Sequence, residues 1–305
     1  TGRALKHSAS VLSLVSGVFI ACAPATAQDT EPQAEDAAGQ EIIVTGTRRD
    51  GVTAIESARP VDIVSSDTLE RQGSSNLNDA LKTAVPSLNV QKFVAQDGSA
   101  FVRPFSLRGL PPDQTLVLVN NKRRHRSALV QITNQPLAAG AQGADLSTIP
   151  SNAIKSIEVL RDGAAAQYGA DAIAGVINFR LKDDRDGLTV SARYGQYYEG
   201  DGQDLTLQAN AGLPLTADGF FNISGEYVRA KPTSRGAQRP DAQALINAGN
   251  TAVPAPAQRW GNVNTESARL FINSEVQASD SATAYLFGNY SWSTGDTEFF
   301  YRNPV

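Results

Sequence analysis

From Leu188 onward the chain alternates apolar and polar side chains one for one, and that period of two restricts its second half to two-faced β-strands. Leu188, Val190, Ala192 and Tyr194 alternate with Thr189, Ser191 and Arg193; Leu205, Leu207, Ala209, Ala211 and Leu213 alternate with Thr206, Gln208 and Asn210. Phe221, Ile223, Gly225 and Tyr227 repeat the pattern, as do Ala268, Leu270, Ile272 and Val276, and then Ala284, Leu286, Gly288, Tyr290 and Trp292. Runs of about ten residues with one greasy and one polar face mark a transmembrane β-barrel. The connections agree: residues 216–218 and 279–281 read as tight turns, whereas 195–203 and 231–265 are long and rich in Pro, Gly, Gln and Arg. Short turns at one end and long loops at the other suit a barrel, while a soluble sandwich has no reason to sort them. Tyr194, Tyr197, Tyr198, Tyr227, Tyr290 and Trp292 fall on the long-loop side, where an aromatic girdle belongs.

The first half follows different rules. Arg3 and Lys6 precede an apolar run from Val11 to Ala23 and then Ala25-Thr26-Ala27, the order of a secretory signal over residues 1–27. The run falls short of the roughly 20 residues that span a bilayer as a helix. Cleavage after Ala27 removes the single cysteine, Cys22, and with it any disulfide or thiol chemistry; the alternative is a lipidated Cys22. Residues 28–52 open with QDTEPQAEDAAGQ, a polar acidic stretch without apolar period that reads as a flexible leader. Residues 53–183 read as a small α+β domain. A strand is expected at Val61 to Val64, and Ser66 or Asp67 can cap a short helix through Arg71. A second helix, from Asn76 to Ala84, turns Leu77, Ala80, Leu81 and Ala84 to one face. Further strands are expected at Phe105 to Arg108, Thr115 to Asn120, Ser156 to Arg161 and Gly175 to Leu181, with a helical turn opened by Pro150. Barrel strands occupy 187–305, five or six of them, too few to close around such a domain, since plugged lumens need about 22. Thr1 is not an initiator methionine, so the N-terminus is expected to be trimmed or misplaced by a few residues, and Val305 falls inside an unfinished strand array, so the chain is expected to be an N-terminal fragment of a longer protein.

Three motifs carry a family resemblance: EIIVTG at 41–46; Leu107-Arg108-Gly109 followed by TLVLVNNKR at 115–123; and IKSIEVLRDGAAAQYGADAIAGVINFRLK from Ile154 to Lys182. Together they resemble the TonB-dependent outer-membrane receptors, in which an N-terminal plug sits inside a large barrel. Two departures stand out: Asp162 where a glycine commonly follows the Arg, and Ala174 for the first of a usual Gly pair. The resemblance implies a receptor in the outer membrane of a Gram-negative bacterium for energised uptake of a scarce nutrient, a ferric siderophore or similar iron complex foremost, with cobalamin or oligosaccharide as other cargoes. A passive porin-like or adhesive barrel and a soluble periplasmic binding protein are the rival classes. It implies outer-membrane lipid and TonB, with its inner-membrane energising proteins, as partners.

On the same footing, Glu41, Ile42, Ile43, Val44, Thr45 and Gly46 form a Ton box, captured by strand addition through main-chain hydrogen bonds, although the residues alone equally suit an edge strand. Plug loops at 94–102 and 122–136 are implied to face the outer vestibule and touch ligand through Gln96, Asp97, Arg103, Lys122, Arg123, Arg124, His125 and Arg126. The Lys122–Arg126 cluster would attract anionic cargo or, alternatively, pair with acids on the inner barrel wall. Arg108, Gly109, Arg161, Tyr168 and Gly169 are implied as a plug-to-barrel lock, with wall carboxylates as the partners of the two arginines.

Other functions find no footing. The net charge of -4 argues against a general nucleic-acid binder. Walker, GxSxG, HExxH and CxxC patterns are absent, so neither enzyme activity nor a cofactor is expected. His125 lacks partners at ligand spacing and makes no metal site.

Overall fold

The computed structural model describes residues 61–72, 76–92, 98–103, 105–131, 139–161, 164–298 and 301–302. The expected signal peptide, leader and Ton box lie outside these residues, as do Gln96 and Asp97. The α+β class holds for the first half. Its mixed sheet runs β1 (Val61–Ser65), β6 (Ile154–Leu160), β7 (Gly175–Leu181), β4 (Thr115–Val119) and β5 (Lys122–Arg123). β4 and β7 are parallel and the other neighbours antiparallel. A separate hairpin pairs β2 (Leu88–Val90) with β3 (Phe105–Leu107).

Two helices cover the sheet. In α1 (Ser66–Arg71) the cap is Ser65 rather than Ser66 or Asp67, because β1 runs straight into the helix and its last residue already has the extended backbone a cap needs; the Ser65 side chain accepts from the Thr68 amide at 3.3 Å. α2 (Leu77–Ala84) is capped by Asn76, which accepts from the Asn78 amide at 2.9 Å, and buries Leu77, Ala80 and Leu81 as its period requires. These side chains join Val117, Val119, Ile154, Ile157, Ile177 and Phe179 in one contiguous core.

The AGVINF stretch shows why glycine stands at 175. Its φ is +143, and a Cβ there would lie 2.2 Å from the Leu160 carbonyl oxygen and 2.7 Å from Leu107 Cδ2. The residue therefore permits close approach inside the sheet rather than a turn. Asn178, fully buried, accepts from the Asn121 amide at 3.1 Å and donates to the Asn121 side chain at 2.7 Å, pinning the left-handed backbone that turns β4 into β5.

The second half is an antiparallel meander of β8 (Leu188–Gly195), β9 (Asp204–Pro214), β10 (Phe220–Ala230), β11 (Asn264–Ser279) and β12 (Ala282–Asp296) in sequence order. It has the form of the start of a barrel. Its burial is inverted relative to a water-soluble sheet. One face puts Ala192, Leu207, Tyr227, Ala268 and Trp292 in one cross-strand row and Val190, Ala209, Gly225, Leu270 and Tyr290 in the next. That apolar face is open: Val190 is 70% exposed and Tyr290 67%. The opposite face carries Thr206, Asn210, Asn222, Ser224, Glu226, Ser267 and Asn273, all buried. Within the long connection from β10 to β11 an unexpected helix, α4 (Pro240–Asn247), packs Ala242 against Val253 and Ala257. Tyr197 leaves the expected girdle and lies in the β8–β9 connection beneath Arg235, whose guanidinium sits 5.4 Å from the ring and pairs with Asp201.

Candidate functional site

The polar face of the meander is buried because the α+β domain packs on it, and the contacts between them form the candidate site. Ser151 and Asn152, in the helical turn that Pro150 opens ahead of β6, reach β9 and β10. Ser151 Oγ donates to Glu226 Oε2 at 2.9 Å and accepts from Gln208 Nε2 at 2.7 Å. Asn152 Nδ2 donates to the carbonyls of Ala209 and Gly225 at 2.8 and 3.2 Å. Glu226 accepts from Arg269 through its other oxygen, a cross-strand pair inside the sheet. Further along, Asn120 donates to Asn273 at 3.1 Å and Asn273 donates to the Lys182 carbonyl at 2.9 Å.

Apolar residues interrupt the polar face at Val228, Phe271 and Phe287, and Phe271 is the most deeply buried of them. Phe271 is 2% exposed and belongs to the same buried cluster as Val117, Val119 and Phe179 of the domain. Its cross-strand neighbours are Ser224 and Asn289, so its apolar surroundings come chiefly from the domain.

The expected ligand residues divide. Arg103 is 6% exposed: Nη2 donates to Asp79 at 2.8 Å and Nε to the Gln91 carbonyl at 3.1 Å. Burial pushes the Asp79 carboxyl up, but the hydrogen bond and charge of Arg103, aided by Lys92, outweigh it and hold the group below its ordinary value. Arg103 is thus a strut between α2 and the two ends of the segment that joins β2 to β3, with its edge on a cleft of about 390 Å³ between domain and meander that Asp79, Lys92, Phe101, Asn262 and Gly295 also line. Because Asn262 and Gly295 lie at the long-loop end, residues 98–102 approach that end of the meander.

Lys122–Arg126 do not gather there. Lys122 sits 5.3 Å above the ring of Tyr285, close to the short turn that joins β11 to β12. The physical reason is the parallel pairing of β4 with β7: the end of β4 lies beside the end of β7, which leads into the short-turn end of β8. From Lys122 the segment climbs along β12. Arg124 donates to Asn289 Oδ1 at 2.8 Å and Thr148 Oγ1 at 2.9 Å; burial pulls its pKa down while Asp145 opposes. Burial and then the charge of Arg124 lower the pKa of His125, again against Asp145. Arg123 and Arg126 both pair with Asp171, and Arg123 also donates to the Tyr168 carbonyl. Four of the five are thus engaged by neighbouring groups in some form, and the cluster spans the side of the domain instead of forming a patch at the mouth.

Arg108 and Arg161 make contacts within their own domain. Arg161 pairs with Asp62 across β1 and β6, with Nη2 to Oδ1 at 2.9 Å and Nε to Oδ2 at 2.7 Å, and Arg108 donates to the Arg161 carbonyl at 3.0 Å. Both contacts lie within the α+β domain, and among the described residues neither arginine meets a carboxylate of the meander. Gly109 and Gly169 adopt φ of +76 and +95, the second closing the short helix α3 (Ala165–Tyr168). Of the residues that cross to the meander, Ser151, Asn152 and Asn120 went unmarked, while Arg124 belongs to the cluster expected as an alternative to meet acids on the wall, and it meets the Asn289 side-chain amide oxygen there. The signal was present: Glu226 and Arg269 are ionisable residues at polar-face positions of alternating strands.

Residues 53–176 match the family model described as TonB-dependent Receptor Plug Domain. The siderophore receptor PirA from Acinetobacter baumannii, 24% identical, aligns with a TM-score of 0.56 over 77% of this chain and 32% of that one. A mutant of the ferric enterobactin receptor PfeA from Pseudomonas aeruginosa, solved with enterobactin, is 20% identical with a TM-score of 0.58 over 77% of this chain and 33% of that one. The copper transporter OprC is 16% identical with a TM-score of 0.50 over 78% and 31%. The chain spans about a third of the length of these structures, and the likeness shows a shared fold.

Proposed function

We propose, from the premise that residues 53–176 are a TonB-dependent receptor plug domain, that the chain belongs to an outer-membrane receptor that takes up a scarce nutrient with work delivered through TonB. The observation that carries this reading is the inverted meander: an open apolar face suited to lipid, and a polar face buried on the domain that would stopper the pore. Ligand enters at the long-loop end, where residues 98–102 and the cleft beside Arg103 lie. Its binding biases the plug so that Glu41–Gly46 is presented to the periplasm, where TonB adds a strand to it and pulls. The energy comes from the inner-membrane proton gradient, since the outer membrane holds none comparable.

A ferric siderophore or similar iron complex is the favoured cargo, because PirA and PfeA, which share the fold, are siderophore receptors. Cobalamin or an oligosaccharide would use the same route.

Deleting residues 41–46 from the complete protein tests the reading. Radio-iron accumulation from ferric enterobactin is expected to fall to background. Retained uptake by the deletion variant would mark a passive channel. If the intact protein takes up cobalamin or a maltodextrin but no iron, the cargo assignment falls and energised uptake stands.

A further inference from the structure

Plug and meander both carry many charges, yet no ion pair among the described residues joins 61–183 to 188–296. A buried charge of the meander, Glu226, is 4% exposed and accepts from Ser151 of the plug. Its countercharge, Arg269, stands opposite on β11, and Arg269 also donates to Ser267 Oγ on its own strand at 3.0 Å. Gln208 of β9 donates to Glu226 Oε2 at 2.6 Å and is itself held by Ser191 Oγ at 3.1 Å. Three neighbouring strands thus neutralise and orient the carboxylate without help from the plug. What the plug adds is neutral: the Ser151 hydroxyl at 2.9 Å, its amide at 3.4 Å, and beside them the Asn152 amide on two backbone carbonyls.

We propose that Glu226, Gln208 and Arg269 form a preassembled, charge-neutral seat in the barrel wall, and that Ser151 and Asn152 are the positioning residues by which the plug enters and leaves it. A seat whose countercharge sat on the plug would strand a buried carboxylate each time the plug moved, a heavy penalty. Here withdrawal costs a few hydrogen bonds, which water can replace, and Glu226 keeps Arg269 and Gln208 throughout. The contact is firm enough to fix the start of β6 yet reversible under a modest pull. Its grip does not depend on ionic strength, because salt screens charge pairs and not hydroxyl hydrogen bonds.

The inference deepens the reading of a movable plug, and its test needs neither cargo nor TonB, so the two can fail separately. Hydrogen exchange would be followed for the complete protein in outer-membrane vesicles, at amides 154–160 of the plug and at 222–228 and 267–273 of the wall. Ser151→Ala is expected to speed plug exchange about tenfold, equivalent to about 1.4 kcal/mol, and to leave the wall unchanged. Ser151→Thr, which keeps the hydroxyl, should stay within about threefold of the parent, well under 1.4 kcal/mol. Plug protection in the parent should be the same in about 0.05 M and about 1 M NaCl, a range over which the screening length shrinks severalfold. Unaltered plug exchange in Ser151→Ala, or plug protection that falls with salt, would overturn the proposal.

Discussion

Replacing Phe271 with Ala removes the one fully buried aromatic ring that the meander's polar face sends into the plug core. A buried Phe covers about 150–250 Å², which at about 25 cal/mol per Å² gives about 4–6 kcal/mol. Core Phe→Ala changes cost about 3–5 kcal/mol. Part of that cover comes from β10 and β12, so the share lost from seating is about 3 kcal/mol, or roughly a 150-fold shift toward the unseated plug. Ser224 and Asn289 stand directly opposite, and the apolar cover from the meander comes from Phe287, diagonal to the position on β12. The assay is proteolysis of the plug in outer-membrane vesicles under conditions where cleavage is slow relative to reseating, so that its rate follows the open population. The variant should be cut about a hundredfold faster, with the barrel intact. Phe271→Leu, closer in volume, should cost under about 1.5 kcal/mol and be cut less than tenfold faster. A rate for Phe271→Ala within threefold of the parent would refute the view that this ring anchors the plug.

Gly175→Ala places a methyl 2.2 Å from the Leu160 carbonyl and asks an L-residue to hold φ near +143; a loss of about 4 kcal/mol or more is expected, read as a collapse in the yield of folded, heat-modifiable protein. The Asp79–Arg103 strut has a definite pH signature. A carboxyl whose pKa is depressed in the folded state contributes its stability above its unfolded value, 3.8 for Asp79, and loses it as pH falls through the folded value. Asp79→Asn should therefore destabilise the complete protein by about 1 kcal/mol at pH 7, in denaturant titrations, and the difference should begin to shrink as pH falls towards 3.8 and vanish once it has passed the lower folded value.

The strands were legible because period-two alternation needs only local sequence, and the five runs from Leu188 to Trp292 became β8 to β12 with their apolar faces together. α4 was invisible because its apolar residues, Ala242, Leu245 and Ile246, sit amid Gln, Asn and Pro and pack only on their own connection. The two-residue β5 is too short to show a period. Charge composition identified Lys122–Arg126 but not the end of the molecule on which the cluster starts, since that follows from the parallel β4–β7 pairing, a long-range choice. Likewise, the pair of Arg161 with Asp62 was not legible because Asp62 lies almost a hundred residues away and meets it only through the β1–β6 register.

The reversed coat of the meander also governs the surroundings such a chain can tolerate. With Leu188, Val190, Leu286 and Tyr290 turned outward, the finished sheet in water would present a continuous oily flank, and copies of it would stick to one another. In the proposed outer-membrane setting the bilayer would wet that flank, so the sheet gains its stable surroundings only where lipid meets it.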